Sequence, residues 1–450
     1  MTRLHSGRMT EGGILPSILR YSLPLIAGNF LQQLYNTADS VIVGNLVGDA
    51  ALAAVGTAGQ IAGLLFTVCL GAGAGAGVLV AMYYGAEDRE KTDSAVHNAA
   101  ALSLLGGGAL MLLGLAGGPL FLRWMGTPEE VLRPAWIYLR ILFAGTLCTA
   151  LYNYAAGVLN AVGASSRSLL YLAVASGANI ALDLLLVGVF RLGVAGTAWA
   201  TVFAQLLSAA LALRYLTRLD DICRLSLRRI RLEKRMALRI LRLGIPTAIQ
   251  GAVISFSNVL IQSSVNSFGT RAMAGFTSYM KVDGFNILPV SSFSLAASTF
   301  VGQNLGAGRV DRARRGTWTV LLLSLGYTAV MSVVMLTFSK PILSLFGGDE
   351  ETLRSGILCL RALAPFYALL AVIHSLAGAV RGSGHTAAPM VIILFSLCLC
   401  RMVWIALAAP KFGSIWGVYL TYPVSFVIGA SLMVIYTLRA RWLEPAEKKL

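Results

Sequence analysis

Three acidic residues stand where so apolar a chain should carry none. Of the 20 Asp and Glu in the 450 residues, Asp39, Asp183 and Asp283 fall inside long apolar runs; the others lie in loops and tails. A charge at mid-bilayer depth costs about 2.5–3.5 kcal/mol on insertion scales, so such a group is functional by default and needs partners. Gln32, Tyr35, Asn36 and Asp39 follow i, i+3, i+4, i+7 spacing and share one helix face. Asn179 and Asp183 are one turn apart, and Thr201 follows in the next apolar run. Two carboxylates, an amide and a hydroxyl offer only oxygen ligands, which suit a proton or a hard cation such as Na⁺. No Ser–His–acid set, phosphate loop or metal-ligand spacing accompanies them. The expectation is a protein that is not an enzyme and has no cofactor. With no ATP-binding domain, its energy must come from an ion gradient.

The elements that must position these residues follow from composition. The chain is 57% hydrophobic and only 12% charged, with mean hydropathy +0.74, against about 25% charged residues in soluble proteins. A membrane crossing needs about 20 apolar residues. Twelve such runs are read near 17–43, 51–80, 95–117, 134–157, 168–190, 194–216, 240–266, 273–300, 316–338, 355–378, 387–409 and 414–437. Pro289, well inside the eighth, is the clearest expected kink. The six cysteines lie mostly in apolar runs and read as small core hydrophobes, with no disulfide framework.

Net charge is +16, but its distribution points to topology and not to nucleic acid. Of the 36 Lys and Arg, 25 sort to one side: the N-terminus, the even-numbered loops, the segment 214–242 and the C-terminus. Nine sort to the other, and Lys281 and Arg401 fall within spans. The positive-inside rule then makes both termini and the central connector cytoplasmic in a multi-pass protein of the inner (plasma) membrane. With that orientation Asp39 and Asp183 lie five to nine and six to eight residues below the outer ends of their spans. Thr201 lies eight residues into its own. At 1.5 Å per residue all three are about 10 Å beneath the outer face.

The chain also repeats itself. Gly48, Gly85, Gly126, Gly157 and Gly163 each have a glycine 221 residues later, at Gly269, Gly306, Gly347, Gly378 and Gly384. The neighbourhoods agree, as in YGAEDREK with LGAGRVDR and AAGVLNAVG with LAGAVRGSG. The fold class expected is all-α and polytopic: twelve transmembrane helices in two six-helix lobes related by a pseudo-twofold along the membrane normal. The lobes are 1–217 and 240–450, joined by a basic connector at 218–239, with a central cleft as the natural substrate site. At the 221 offset Asp39 maps to Leu260, Asn179 to Cys400, Asp183 to Trp404 and Thr201 to Tyr422. None of the polar groups recurs, so the acid cluster is a specialisation of the first lobe.

Other features carry less. LGAGAGAGVLV (70–80) has the glycine alternation of a phosphate loop, but inside a span it reads as small residues permitting close helix packing. Asp283 has two readings, a charge pair with Arg401 or a cleft contact to a cationic substrate, and Lys281 lies on another face of its helix, able to snorkel outward.

Three stretches carry a family resemblance: LPLIAGNFLQQLYNTADSVIVGNLVGDAALAAVG at 23–56, the GAGAGAG…YYGAEDREK segment, and VGQNLGAGRVDRARRG at 301–316. Over residues 15–438 the chain resembles the MATE (multidrug and toxic compound extrusion) antiporters, in particular their DinF-like prokaryotic branches. That resemblance implies export of cationic, amphipathic drugs driven by H⁺ or Na⁺, from a protein embedded among membrane lipids and working as a monomer. Carried over by motif, the family's cation site falls on Asp39, Asn179, Asp183 and Thr201, with Tyr35 and Asn153 nearby. The branch with carboxylates in helices 7 and 10 fits poorly, since those spans offer Gln250, Ser255, Asn258, Gln262, Tyr367 and His374. The rival expectation is a flippase for lipid-linked oligosaccharides.

Overall fold

A computed structural model describes residues 8–124, 127, 129–346 and 349–444. Gly126 and Gly347, one landmark pair of the repeat, lie outside the described residues, as do the ends of the chain. In chain order the α-helices are α1 Ile14–Leu46, α2 Asp49–Gly85, α3 Arg89–Trp124, α4 Glu129–Ala144, α5 Thr146–Ala161, α6 Ser165–Asp183, α7 Val194–Arg218 and α8 Lys234–Asn266. They continue with α9 Thr270–Gly306, α10 Val310–Thr337, α11 Ser339–Ser344, α12 Glu350–Leu363, α13 Tyr367–Gly382, α14 Ala387–Leu394, α15 Cys400–Val403, α16 Trp416–Tyr419 and α17 Thr421–Arg439. Among the described residues, eleven helical segments are long and apolar enough to cross a membrane, or twelve with α4 and α5 taken as one span. Those two meet at 48° around Gly145, where a Cβ would come 2.5 Å from Val202. Pro289 does not interrupt α9, which runs on unbroken through it. Leucines and valines such as Leu105, Leu112, Leu113, Val330 and Val333 stay exposed along these helices. Such continuous apolar surface is stable only against lipid.

The chain forms two compact units. The first holds Arg8 and Leu23–Ala248; the second holds Met9–Ser22 and the chain from Ile249 onward. Two helices are therefore shared. The opening turns of α1 belong to the second unit, where Tyr21 hydrogen-bonds Thr299 at 2.9 Å and Met9 donates its amide to Gln303 Oε1 at 2.8 Å. The opening half of α8 belongs to the first unit.

Glycine spacing sets the first unit's packing. Along α2, Gly71 and Gly75 face α8, where a Cβ would come 2.6 Å from Ala248 and 2.5 Å from the Gly244 nitrogen. Gly73 and Gly77 face α5, where a Cβ would meet the carbonyls of Asn153 at 2.8 Å and Gly157 at 3.3 Å. The alternation thus serves two helix neighbours at once, as small residues do in membrane bundles. The second unit repeats the crossing: a Cβ on Gly378 would lie 2.2 Å from the Ser294 carbonyl, as one on Gly157 would lie 2.6 Å from that of Gly73. Ser294 and Gly378 are the 221-residue counterparts of Gly73 and Gly157, so the repeat read from glycines is also a repeat of contacts.

The basic connector packs onto the first unit. Leu219, Cys223 and Leu225 are buried there, and burial pushes the Cys223 thiol up, keeping it an apolar packing group. All six cysteines are free thiols. Ser226 donates its amide to His97 Nε2 at 3.0 Å, so the other ring nitrogen carries the proton and donates to the Asp93 carbonyl at 2.8 Å. Glu233 donates its amide to Asn98 and accepts from Ser94.

Candidate functional site

The first unit's acids converge. Asp39 projects from α1 and Asp183 from the last turn of α6, and their carboxyls are neighbours; the Thr197 hydroxyl of α7 lies near Asp183 but, like it, meets no hydrogen-bond partner. Asp39 is 6% exposed, while Asp183 and Asn179 are fully buried. Immediately after Asp183 the chain widens into a π-helical turn, Leu184–Val189, a distortion frequent at functional sites. Gly196 lets the start of α7 close onto that turn; its Cβ would lie 3.1 Å from the Leu186 carbonyl carbon.

Hydrogen bonding does not complete this cluster. One Asp39 oxygen, both Asp183 oxygens and both polar atoms of the Asn179 side chain meet no hydrogen-bond partner. Buried polar groups are normally paired, and a buried carboxylate left alone costs several kcal/mol. Two neighbouring buried carboxylates are completed by one shared proton or by a cation between them. Among the described residues no three His, Cys, Asp or Glu converge. Asp39, Asp183, Asn179 and Thr197 offer oxygen ligands, which suit a proton or a hard cation.

A cavity of about 470 Å³ reaches Asp39 from one side. Gln32, Tyr35 and Asn36 of α1 line it, as their shared helix face requires, together with Tyr138, Thr201 and Gln205. Gly56, Gly59 and Gly63 on α2 leave the opposite wall bare, with nothing within 4 Å of where a Cβ would stand. Asp183 and Asn179 do not line this space. The order is thus cavity, then Asp39, then Asp183 behind it.

Other expected residues have different placements. Thr201 lines the cavity, but its hydroxyl donates to the Thr197 carbonyl at 3.0 Å. Thr197, one turn earlier, is the hydroxyl beside Asp183, and sequence depth alone did not single it out. Asn153 does not line the cavity; its amide donates to the Thr149 carbonyl at 2.9 Å where α5 crosses α2. Tyr138 and Gln205 also line the cavity; neither is an acid or shares a helix face with one of the buried acids, so charge and spacing did not single them out.

In the second unit Asp283 accepts a hydrogen bond from the Tyr367 hydroxyl at 2.8 Å, and Tyr279 lies 2.9 Å behind Tyr367. Arg401 is buried at 4% exposure. Its Nε donates to Ser425 Oγ at 3.0 Å, and its guanidinium stacks 4.5 Å from the Tyr422 ring centre. Asp283 is near enough to act on it by charge, without a direct ion pair. Lys281 is exposed and lies over Phe346 at 5.7 Å, apart from this group.

A helical bundle with apolar faces against lipid, and a buried carboxylate pair beside a cavity, defines a polytopic membrane transporter fold. Comparison agrees. The sequence model of the MatE family matches residues 24–185 and again 246–407. The chain is 30% identical to the probable multidrug resistance protein YpnP of Bacillus subtilis, over 96% of this chain and 97% of that one. It belongs to the MatE family. It is also 23% identical to the probable multidrug resistance protein NorM of Thermotoga maritima, over 95% of this chain and 93% of that one. Among solved structures, the outward-facing form of a multidrug resistance MATE family transporter of the MOP superfamily superposes with TM-score 0.92 at 22% identity, covering 99% of this chain and all of the other.

Proposed function

We propose that this protein exports cationic, amphipathic compounds across the plasma membrane in exchange for H⁺ or Na⁺. The observation that carries the reading is the buried pair Asp39–Asp183, three of whose four oxygens meet no hydrogen-bond partner, at a cavity of about 470 Å³ that Asp39 lines. Tyr35, Tyr138 and Phe66 give that cavity aromatic walls, and Asp39 gives it a negative end. Aromatic faces and a carboxylate are what an organic cation is attracted to. The coupling ion, bound between the carboxylates, changes how α1, α6 and α7 pack and so shifts the balance between outward- and inward-facing states. It does so only if it binds the two states unequally. The relatives in Bacillus subtilis and Thermotoga maritima, named as probable multidrug resistance proteins, support this substrate class. The excess of basic residues on one side supports cytoplasmic termini. Flipping of lipid-linked sugars would call for a cationic cavity facing the pyrophosphate, whereas the charge reaching this cavity is Asp39.

The test is dye efflux from proteoliposomes under an imposed pH gradient or an imposed Na⁺ gradient, each alone. Efflux driven by one gradient, and lost in Asp39→Asn and Asp183→Asn proteins reconstituted to equal density, is the expected result. Wild-type rates in both variants would overturn the site assignment.

A further inference from the structure

Arg401 lies, in sequence, between Cys400 and Trp404, the 221-residue counterparts of Asn179 and Asp183. Its surroundings are counterparts too. Tyr422, under its guanidinium, corresponds to Thr201; Phe426, 5.6 Å from it, corresponds to Gln205. Asp283 and Tyr367 correspond to Ala62 and Thr146. All four counterparts in the first unit, Ala62, Thr146, Thr201 and Gln205, line its cavity. The contact-level repeat of Gly73–Gly157 by Ser294–Gly378 shows that this offset holds in space. At the far end of the region Gly196 and Gly417 keep the same offset, and each closes against the end of the preceding helix.

The two units thus solve one problem in opposite ways. The first presents two unsatisfied carboxylates and open space. The second fills the corresponding region with larger side chains and a covalently attached cation. That cation is provided with the ligands a free one would take: the Ser425 hydroxyl, Asn258 Oδ1 at 3.5 Å from Nη1 and two aromatic faces, with the Asp283 carboxylate acting on it only at longer range. Asp283 is in turn fixed by the Tyr367 hydroxyl.

We propose that the Arg401 guanidinium is a resident cation, held in the second unit in the region that corresponds to the first unit's cavity, so that only the first unit keeps that space open to an exchangeable cation. This rests on reading Asp39–Asp183 as an exchangeable-cation site. It also says that the second unit keeps a cation pocket that Arg401 permanently occupies. Removing the side chain vacates a site for a small planar cation.

The experiment reads binding and not transport, so it stands whether or not Asp39 and Asp183 couple export. Arg401→Ala protein is purified and its heat-unfolding midpoint followed in low-millimolar methylguanidinium chloride against equal NaCl. A saturable rise of about 2–4 °C is expected, absent from wild type and from the Asp283→Asn/Arg401→Ala double variant. A response of Arg401→Ala no larger than that of wild type would sink the proposal. Should Arg401→Ala not fold, Arg401→Lys and Arg401→Met decide. The ammonium of the first should preserve the midpoint and the uncharged chain of the second should lower it, and equal midpoints would make Arg401 a space-filler and refute the resident cation.

Discussion

Replacing Asp183 by Asn tests the coupling site most directly, because it changes charge while keeping shape and one carbonyl oxygen. Asp183 is fully buried and neither carboxylate oxygen meets a donor, so its whole effect should be on the ion. A unit charge about 4 Å from a cation, at an effective dielectric constant of about 20, contributes about 4 kcal/mol. The surviving amide oxygen offsets part of that, leaving a loss of about 3 kcal/mol, or roughly 100-fold in ion affinity. The ion-free protein should change in the opposite sense. A buried carboxylate without a counter-charge is costly, and its neutral isostere should stabilise the empty site by about 1–3 kcal/mol. The assay is the unfolding midpoint of purified protein against Na⁺ concentration at fixed pH, and against pH without Na⁺. Wild type should gain stability by mass action with whichever ion couples transport. Asp183→Asn should begin from a higher midpoint and need roughly 100-fold more of that ion to rise. An Asp183→Asn protein with the wild-type half-saturation would refute the reasoning, since no buried charge would then be contributing to ion binding.

Two further predictions concern the frame. A Cβ on Gly157 or Gly378 would lie 2.6 Å or 2.2 Å from a backbone oxygen of the crossing helix. Gly157→Ala and Gly378→Ala should therefore each lower stability by about 1–3 kcal/mol. Gly177→Ala, with nothing within 4 Å, should instead gain up to about 1 kcal/mol from helix propensity; unfolding midpoints of the three read the sign. Asp88 caps α3, accepting the Lys91 amide at 3.0 Å and pairing with the Lys91 ammonium at 3.0 Å. The Lys91 amide, chief among its neighbours, holds the carboxyl below its ordinary range. Its contribution is present above the ordinary carboxylate range and lost as pH falls through the depressed value. Asp88→Ala should cost about 1 kcal/mol near neutrality, and the difference from wild type should shrink on acidification.

Much of this protein was legible without coordinates, for a physical reason. In lipid every backbone polar group must be satisfied within its own segment, so apolar length alone marks the spans, and the positions of Arg and Lys suggest their direction. A charge inside such a run is costly enough that Asp39, Asp183 and Asp283 stand out as functional before any partner is known. Helical spacing then put Gln32, Tyr35 and Asn36 on the face of Asp39, and that face is the one lining the cavity. Tertiary structure decided what depends on a neighbour's distance and direction. The α7 hydroxyl nearest Asp183 is that of Thr197, one turn before Thr201, although it forms no hydrogen bond; the π-helical turn after Asp183 and the close approach at Gly196 set how α7 meets α6. Asn153 turned to its own helix, donating to the Thr149 carbonyl where α5 crosses α2. A break with a 48° bend lies at Gly145, while α9 continues through Pro289. Arg401, which in sequence is a lone charge in a greasy run, acquired its meaning only from Tyr422, Ser425 and Asn258, brought to it from two other helices. One-dimensional pattern fixes which residues cannot face lipid; only the packing of helices fixes which of them face one another.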